Sequence, residues 1–314
     1  MNSSMKVVIA EPITPKLSSL VEDNNAAWQV YNSSPRDKQE LIARLKDADI
    51  ASSYSVKYDE VIFKACPKLK YLAIPAVGAN FFVDMDAANK YGVTVMNCPG
   101  YNSTAVAEMA IGLAISVGRM IPALQYDLQH GVWDESSNGQ SQLLGGKNIG
   151  IIGQGNVGKA LQGLLTSWNT TTSFINSSSS VEYVDKTIAA CDILFICCPL
   201  TKKTQGLVSK TRIDSMKKTA YIVNVGRGAV VDEDALYDAL KHKRIHGAGL
   251  DVFAEEPEYG NEVPQTIKRF IELDNVTVTP HLAGSSVESS ETLGRMLYEN
   301  ILSVLSGSPA NIYT

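Results

Sequence analysis

Residues 148–162 read NIGIIGQGNVGKALQ. An apolar strand pattern runs into glycines 153, 155 and 158, in G-x-G-x-x-G spacing, and a helical pattern begins directly beyond them. In such an arrangement the first glycine takes a tight turn, the second lets the backbone approach a ligand closely, and the third lets helix pack against strand. The helix N-terminus then points its N–H groups at an anion such as the pyrophosphate of a dinucleotide. A parallel βαβ unit is expected here, with a doubly wound α/β sheet built around it.

The rest of the chain repeats the alternation. "KVVIAEP", "WQVYNS", "DIASSY", "YLAIPAVG" and "VTVMNCPG" are short apolar runs closed by Gly, Pro, Asn or Ser and separated by helix-compatible pieces. A second series follows in "KNIGIIG", "TTTSFI", "ILFICC", "AYIVNV", "GAGLDVF" and "VTVTP". Between the two lies "STAVAEMAIGLAISVGRMIPALQYDLQHG", whose arginine, glycines and proline favour a long buried connecting helix over a membrane span. Two doubly wound parallel-sheet domains are the economical reading, with the nucleotide fold in the second. The closing segment "SSVESSETLGRMLYENILSVLSG" has helical periodicity, which by itself does not decide whether it returns to the first domain.

At 314 residues the chain can form two domains, each with its own core. Its net charge of −5 gives no general attraction to nucleic acid or anionic membrane, so an anionic ligand must be held by a few placed cations. Cys66, Cys98, Cys191, Cys197 and Cys198 lack metal-type spacing and read as reduced core thiols, and no metal is expected. "MNSSMKVVIAEP" passes into a strand pattern without an apolar signal core, and no run reaches about 18 apolar residues. A cytoplasmic protein is expected.

After the strand "TTTSFI", the position where an acid would bond the adenosine ribose is Asn176, followed by Ser177 and three further serines. The missing acid removes the usual barrier to NADP, yet no cation follows in the turn. Two readings stay open: an Asn/Ser turn that bonds its own backbone, or recognition of a 2′-phosphate, with Lys202 and Lys203 as the nearest cations by topology.

Three further stretches place a polar residue at the end of a strand pattern: "VNVGRGAVVDEDAL" with Arg227, "GLDVFAEEP" with Glu256 and "TVTPHLAGSS" with His281. With "VAEMAIGLAI", the glycine fingerprint and "CPLTKKTQGL", they make nearly the whole chain resemble the D-isomer-specific 2-hydroxyacid dehydrogenases. That resemblance implies a Rossmann cofactor domain over residues 99–285 and a flavodoxin-like substrate domain made of 1–98 and 286–314. It also implies that Arg227, Glu256 and His281 form a catalytic trio. The residue types suit reduction of a 2-oxo acid: imidazole titrates near about pH 6.5 and can give a proton, an adjacent acid stabilises imidazolium, and arginine offers a fixed fork of donors to a carboxylate.

The resemblance further implies that amides at Val77 and Gly78 bind the substrate carboxylate, with the active site in a cleft between domains. It puts cofactor contacts at Thr104, Gly153, Gly155, Asn156, Val157, Gly158, Asn176, Ser177, Cys198, Pro199, Thr204, Val225, Gly226, Asp251 and Gly284. Asp251 is expected to bond the nicotinamide carboxamide. Two features depart from the family pattern. "ANFFVDMDAA" carries one residue more than usual, leaving Phe81 and Phe82 either to shape the substrate mouth or to serve as ordinary packing, and Cys197 stands where many relatives have histidine. The expected function is NAD- or NADP-dependent reduction of glyoxylate, hydroxypyruvate or a pyruvate-like acid to the D-2-hydroxy acid, by a homodimer joined through the helix from about Ser103. The alternatives are an NAD-sensing corepressor of the same fold and a formate- or phosphite-type dehydrogenase.

Overall fold

The structure is a computed structural model that describes residues 5–23, 28–133, 141–257 and 260–313. The polar lead at residues 1–4 lies outside them. Residues up to Asn102, together with those from Ser286, form one compact unit, and Ser103–Ser285 form the other.

In the first unit, β1 (Val7–Ile9), β2 (Trp28–Val30), β3 (Ile50–Ser52), β4 (Tyr71–Ala73) and β5 (Thr94–Met96) make a parallel sheet in the order β2-β1-β3-β4-β5. This is the flavodoxin-like winding. Strand alternation divides its core in two. Val8, Ala51, Leu72 and Val95 face a cluster with Leu41, Leu45, Ile62 and Phe63, supplied by α2 (Lys38–Leu45) and α3 (Glu60–Ala65). Val7, Ile9, Ile50, Ala73 and Met96 face the opposite cluster, where Leu17 of α1 (Pro15–Asp23) meets Leu297 and Ile301 of α12 (Val287–Leu305). Aspartates start three of the helices: Asp37 accepts from Glu40 N–H (2.8 Å), Asp59 from Val61 N–H (3.1 Å), and Asp84 from Ala87 N–H (3.0 Å) at α4 (Met85–Lys90). Each such cap is worth about 1 kcal/mol.

The closing helix is fitted to this unit. A Cβ on Gly294 would lie 2.3 Å from Thr14 Oγ1 and 2.8 Å from Leu17 N, so only glycine allows α12 to approach so near to the start of α1. Asn300 Nδ2 donates to the Asn97 carbonyl at 2.8 Å, and Tyr313 N–H to the Val95 carbonyl at 2.9 Å.

In the second unit, β6 (Asn148–Ile152), β7 (Thr171–Ile175), β8 (Ile193–Ile196), β9 (Tyr221–Asn224), β10 (Gly247–Leu250) and β11 (Val276–Val278) form a parallel sheet in the order β11-β10-β9-β8-β6-β7. The winding is that of the first unit with one strand added. Strands β8, β9 and β10 are buried throughout, as expected where helices cover both faces. The covering helices are α5 (Ser103–Gly118), α7 (Asn156–Leu165), α8 (Val181–Ala190), α9 (Lys210–Ser215), α10 (Glu233–Lys241) and α11 (Gln265–Ile271). Helix α5 lies directly on β10: a Cβ on Gly249 would be 2.8 Å from Leu113 Cβ, and one on Gly247 would be 2.7 Å from Val117 Cγ1.

The long connecting segment is not one helix. It ends at Gly118, Met120 takes a left-handed conformation (φ 54°), and α6 (Ile121–Gln129) leaves at 59° to α5. Pro122 explains the break, because its ring would clash with the carbonyl four residues earlier and it has no N–H for the helix. Eight residues of α5 are buried and none of α6. Among the described residues no single helix is long and apolar enough to cross a membrane; the bent α5–α6 pair passes that test only when both parts are taken together.

Candidate active site

The direction of winding in the second sheet reverses between β6 and β8, which places its ligand crevice at their carboxyl ends. The glycine loop lies there. Gly153 has φ +107°, and a Cβ on it would be 2.9 Å from the Cys197 carbonyl oxygen. At Gly158 a Cβ would fall 2.0 Å from the Gly153 carbonyl oxygen, whereas at Gly155 it would meet nothing within 4 Å. Two glycines thus serve close packing and the middle one faces open space. Gly155 is also the N-cap of α7 and offers it no side-chain acceptor, so the N–H groups of the first turn, which includes Asn156 and Val157, are left for an anion. These residues fit a dinucleotide pyrophosphate.

The loops after β8 and β9 close on each other beside this one. A Cβ on Gly226 would lie 2.8 Å from the Cys198 carbonyl oxygen, which sets Cys198 and Pro199 next to Val225 and Gly226. Thr204 folds back onto the same loop, its hydroxyl donating to the Pro199 carbonyl at 2.7 Å. Thr104 is exposed in the first turn of α5.

After β7, Asn176 organises the serines. Its Oδ1 accepts from Ser178 N–H (3.0 Å) and Oγ (2.7 Å), its N–H donates to Ser179 Oγ (3.1 Å), and Ser180 Oγ caps α8 by accepting from Tyr183 N–H (3.2 Å). Asn176 Nδ2 donates to Gln154 Oε1 at 3.0 Å, tying this turn to the glycine loop. The turn therefore satisfies itself, and Ser177 stands within it. Lys202 and Lys203 are exposed in the loop after β8, and neither bonds the turn among the described residues.

Arg227, Glu256 and His281 follow three neighbouring strands, β9, β10 and β11. His281 Nδ1 lies 2.6 Å from Glu256 Oε2, and Glu256 Oε1 accepts from Phe253 N–H at 2.9 Å. Burial opposes ionisation of Glu256. The hydrogen bonds from His281 and Phe253, with the positive charges of His281 and Arg227, outweigh it and hold the carboxyl below its ordinary range. The Arg227 guanidinium donates to the Gly226 carbonyl at 2.6 Å, and the Arg227 carbonyl accepts from Asn224 Nδ2 at 3.0 Å.

His281 itself has φ +54°, unusual for a residue with a Cβ. Asp251 holds it there. Only 1% exposed, Asp251 accepts through Oδ1 from Thr279 Oγ1 (2.5 Å) and Leu282 N–H (3.0 Å) and through Oδ2 from Ala283 N–H (2.9 Å). Its carbonyl also accepts the His281 N–H at 2.8 Å. Asp251 thus anchors the loop that carries His281 and Gly284, a role the sequence reading did not assign to it.

In the first unit, Val77 and Gly78 follow β4. The Val77 carbonyl accepts from Asn97 Nδ2 at 2.6 Å, and the Val77 and Gly78 N–H groups have no protein acceptor among the described residues. Of the two phenylalanines beyond, Phe82 packs against the core and meets Tyr54 edge-on, whereas Phe81 is 78% exposed. Ordinary core packing thus describes Phe82 but not Phe81. Gln154 and Glu233 are contacts that sequence reasoning missed, since neither the variable position of a glycine fingerprint nor one acid among three in "VVDEDAL" marks itself out.

Residues 111–283 match the family model described as D-isomer specific 2-hydroxyacid dehydrogenase, NAD binding domain. The chain is 32% identical, over 98% of its length, to the D-3-phosphoglycerate dehydrogenase of Methanocaldococcus jannaschii, of which it spans only 58%. It is 34% identical to the glyoxylate reductase of Thermofilum pendens, covering 93% of this chain and 89% of that protein. The D-lactate dehydrogenase of Lactobacillus jensenii, solved with NAD+, superposes with a TM-score of 0.85 at 25% identity, covering 99% of both chains.

Proposed function

The chain belongs to the D-isomer specific 2-hydroxyacid dehydrogenase family, and from that premise we propose that it uses NAD(H) or NADP(H) to reduce a small 2-oxo acid to the D-2-hydroxy acid. The observation that carries this reading is the 2.6 Å contact of His281 Nδ1 with Glu256 Oε2, beside Arg227 and in the sheet that bears the glycine loop. When bound, the dinucleotide supplies the hydride that reaches the carbonyl carbon.

The remaining work falls to the protein's own groups. Arg227 presents a rigid fork of donors, grips the substrate carboxylate and polarises the carbonyl, drawing charge toward the oxygen that must be protonated. In the first unit, the open N–H groups of Val77 and Gly78 are suited to a carboxylate. With Nδ1 committed to Glu256, His281 delivers its proton to the carbonyl oxygen through Nε2, and the Glu256 carboxylate stabilises the imidazolium beforehand. Oxidation of the hydroxy acid runs the same transfers in reverse.

Glyoxylate, hydroxypyruvate and pyruvate-like acids are the proposed substrates; the glyoxylate reductase relative, matched over most of its length, supports the first. The neutral turn at Asn176 accepts either dinucleotide, because it carries neither an acid to repel a 2′-phosphate nor a cation to hold one. A homodimer is proposed through α6, which buries none of its residues and exposes Ile121, Leu124, Tyr126 and Leu128. The deciding experiment measures kcat/KM with NADH and with NADPH against glyoxylate, hydroxypyruvate, pyruvate, formate and phosphite. Turnover of an oxo acid supports the proposal. Cofactor binding with no turnover would replace it with a dinucleotide sensor, and turnover of formate or phosphite alone would change the reaction.

A further inference from the structure

Two adjacent backbone N–H groups, those of Phe253 and Ala254, are taken by two different carboxylates. Glu256 Oε1 accepts from Phe253 at 2.9 Å, and Glu233 Oε1 accepts from Ala254 at 2.7 Å. Glu256 belongs to the turn it bonds, but Glu233 reaches that turn from the first residue of α10. On its other side the same peptide is pressed by Gly228, next to Arg227: a Cβ there would fall 1.9 Å from Phe253 C and 2.1 Å from Ala254 N. The Phe253 ring, 7% exposed, packs against Phe270 with centroids 5.8 Å apart. The turn is therefore gripped from three elements.

Glu233 keeps its place against an unfavourable setting. Burial raises the pKa of its carboxyl, and the negative charges of Asp234 and Glu256 add to that, opposed by the Ala254 hydrogen bond and the charge of Arg269. Arg269 is paired with Asp234 at 2.7 Å, and Glu233 makes no ion pair among the described residues. Among the described residues its one hydrogen bond from another element is that of the Ala254 N–H. That N–H lies two residues before Glu256, whose other oxygen meets His281.

We propose that Glu233 is a positioning residue for proton transfer: by fixing the Ala254 peptide it keeps the 253–256 turn in the conformation that sets Glu256 Oε2 at 2.6 Å from His281 Nδ1. The proposal rests on the roles given above to Glu256 and His281. What matters for it is an acceptor oxygen at this reach, not the charge.

Two conservative variants separate reach from charge. Glu233→Gln keeps the acceptor and loses the charge, whereas Glu233→Asp keeps the charge but falls one methylene short. With glyoxylate and NADH, Glu233→Asp is expected to lower kcat about tenfold with KM within about twofold. It should also move the alkaline limb of the kcat profile to lower pH, because a misplaced Glu256 supports the imidazolium less well. Glu233→Gln should keep the wild-type rate and profile. A Glu233→Gln variant as impaired as Glu233→Asp, or a Glu233→Asp variant that loses thermal stability with its pH limb unmoved, would overturn the proposal. His281→Ala, assayed alongside, tells its failure from that of the site reading. Normal turnover in His281→Ala would remove the pair itself, whereas inactive His281→Ala with unaffected Glu233→Asp would remove only the role of Glu233.

Discussion

Replacing Asp251 with asparagine tests whether the His281 loop is held as its hydrogen bonds indicate. The buried carboxylate receives three donors, two of them backbone N–H groups. An amide in the same place keeps one oxygen and turns an NH2 toward the remaining donor. With the oxygen at the Oδ1 position, the bonds from Thr279 and Leu282 survive without the carboxylate charge, each weakened by about 1 kcal/mol. The Ala283 N–H then faces a donor and is left unsatisfied, at a cost of about 1–3 kcal/mol. Relief from burying a charge offsets part of this. The net expectation is a loss of about 2–4 kcal/mol, and the left-handed backbone of His281 is released with it. In urea, with a slope of about 2 kcal/mol per molar, the transition of the second unit should fall by about 1–2 M. A misplacement of about 1 Å at His281 should lower kcat/KM about 100-fold. An unmoved urea midpoint with the same loss of activity would refute the argument, because Asp251 would then act on a ligand and not on the loop.

Arg227→Lys should lower kcat/KM for a 2-oxo acid by about 100-fold or more, since a lysine cannot present a planar pair of donors; steady-state kinetics showing a mild effect would mean that another group grips the carboxylate. Asn176→Asp should reduce kcat/KM with NADPH at least tenfold, about 1.4 kcal/mol, and leave NADH use intact, as read from the two cofactors side by side. For pH, the carboxyl of Glu256 lies below its ordinary range in the folded protein, so its contribution to stability is complete above the ordinary carboxylate range and is lost as pH falls through the depressed value. The melting temperatures of the wild type and Glu256→Gln should therefore converge only on the acid side of that range. Convergence already at neutral pH would show that the carboxylate is not held by its partners.

The features legible in the sequence were those set by local backbone demands. The positive φ of Gly153 and the absence of any room for a Cβ at Gly158 both belong to a short strand-turn-helix passage, and that passage was readable from its glycines alone. Both parallel sheets were visible as alternating apolar runs, and the family resemblance brought Arg227, Glu256 and His281 forward together. The features that escaped depend on distant chain segments meeting. Nothing local tells that Asp251 reaches the amides of Leu282 and Ala283, or that Glu233 reaches Ala254. The break before α6 is different, because Pro122 is in plain view and counts against a membrane span, but its ring and missing N–H also end the helix before it, which the reading as one long helix left out. Phe81 and Phe82 show a third limit, since their rings meet edge-on with centroids 5.1 Å apart, yet only Phe82 reaches the core and nothing in an identical pair tells which one does.

The way α12 completes the first unit bears on how the chain is made. On a ribosome the five strands of that unit emerge first, yet Leu297 and Ile301, which cover one face of their sheet, arrive only after the whole of Ser103–Ser285 has been synthesised. At about 5–20 residues per second this leaves Val7, Ile9, Ile50 and Met96 with only the part of their cover that Leu17 and Val21 of α1 supply for roughly ten seconds or more. The contiguous second unit can close its core in that interval. The nascent protein should thus acquire its dinucleotide-binding half before its own beginning is stable, and this exposed early sheet face is where a chaperone would be needed.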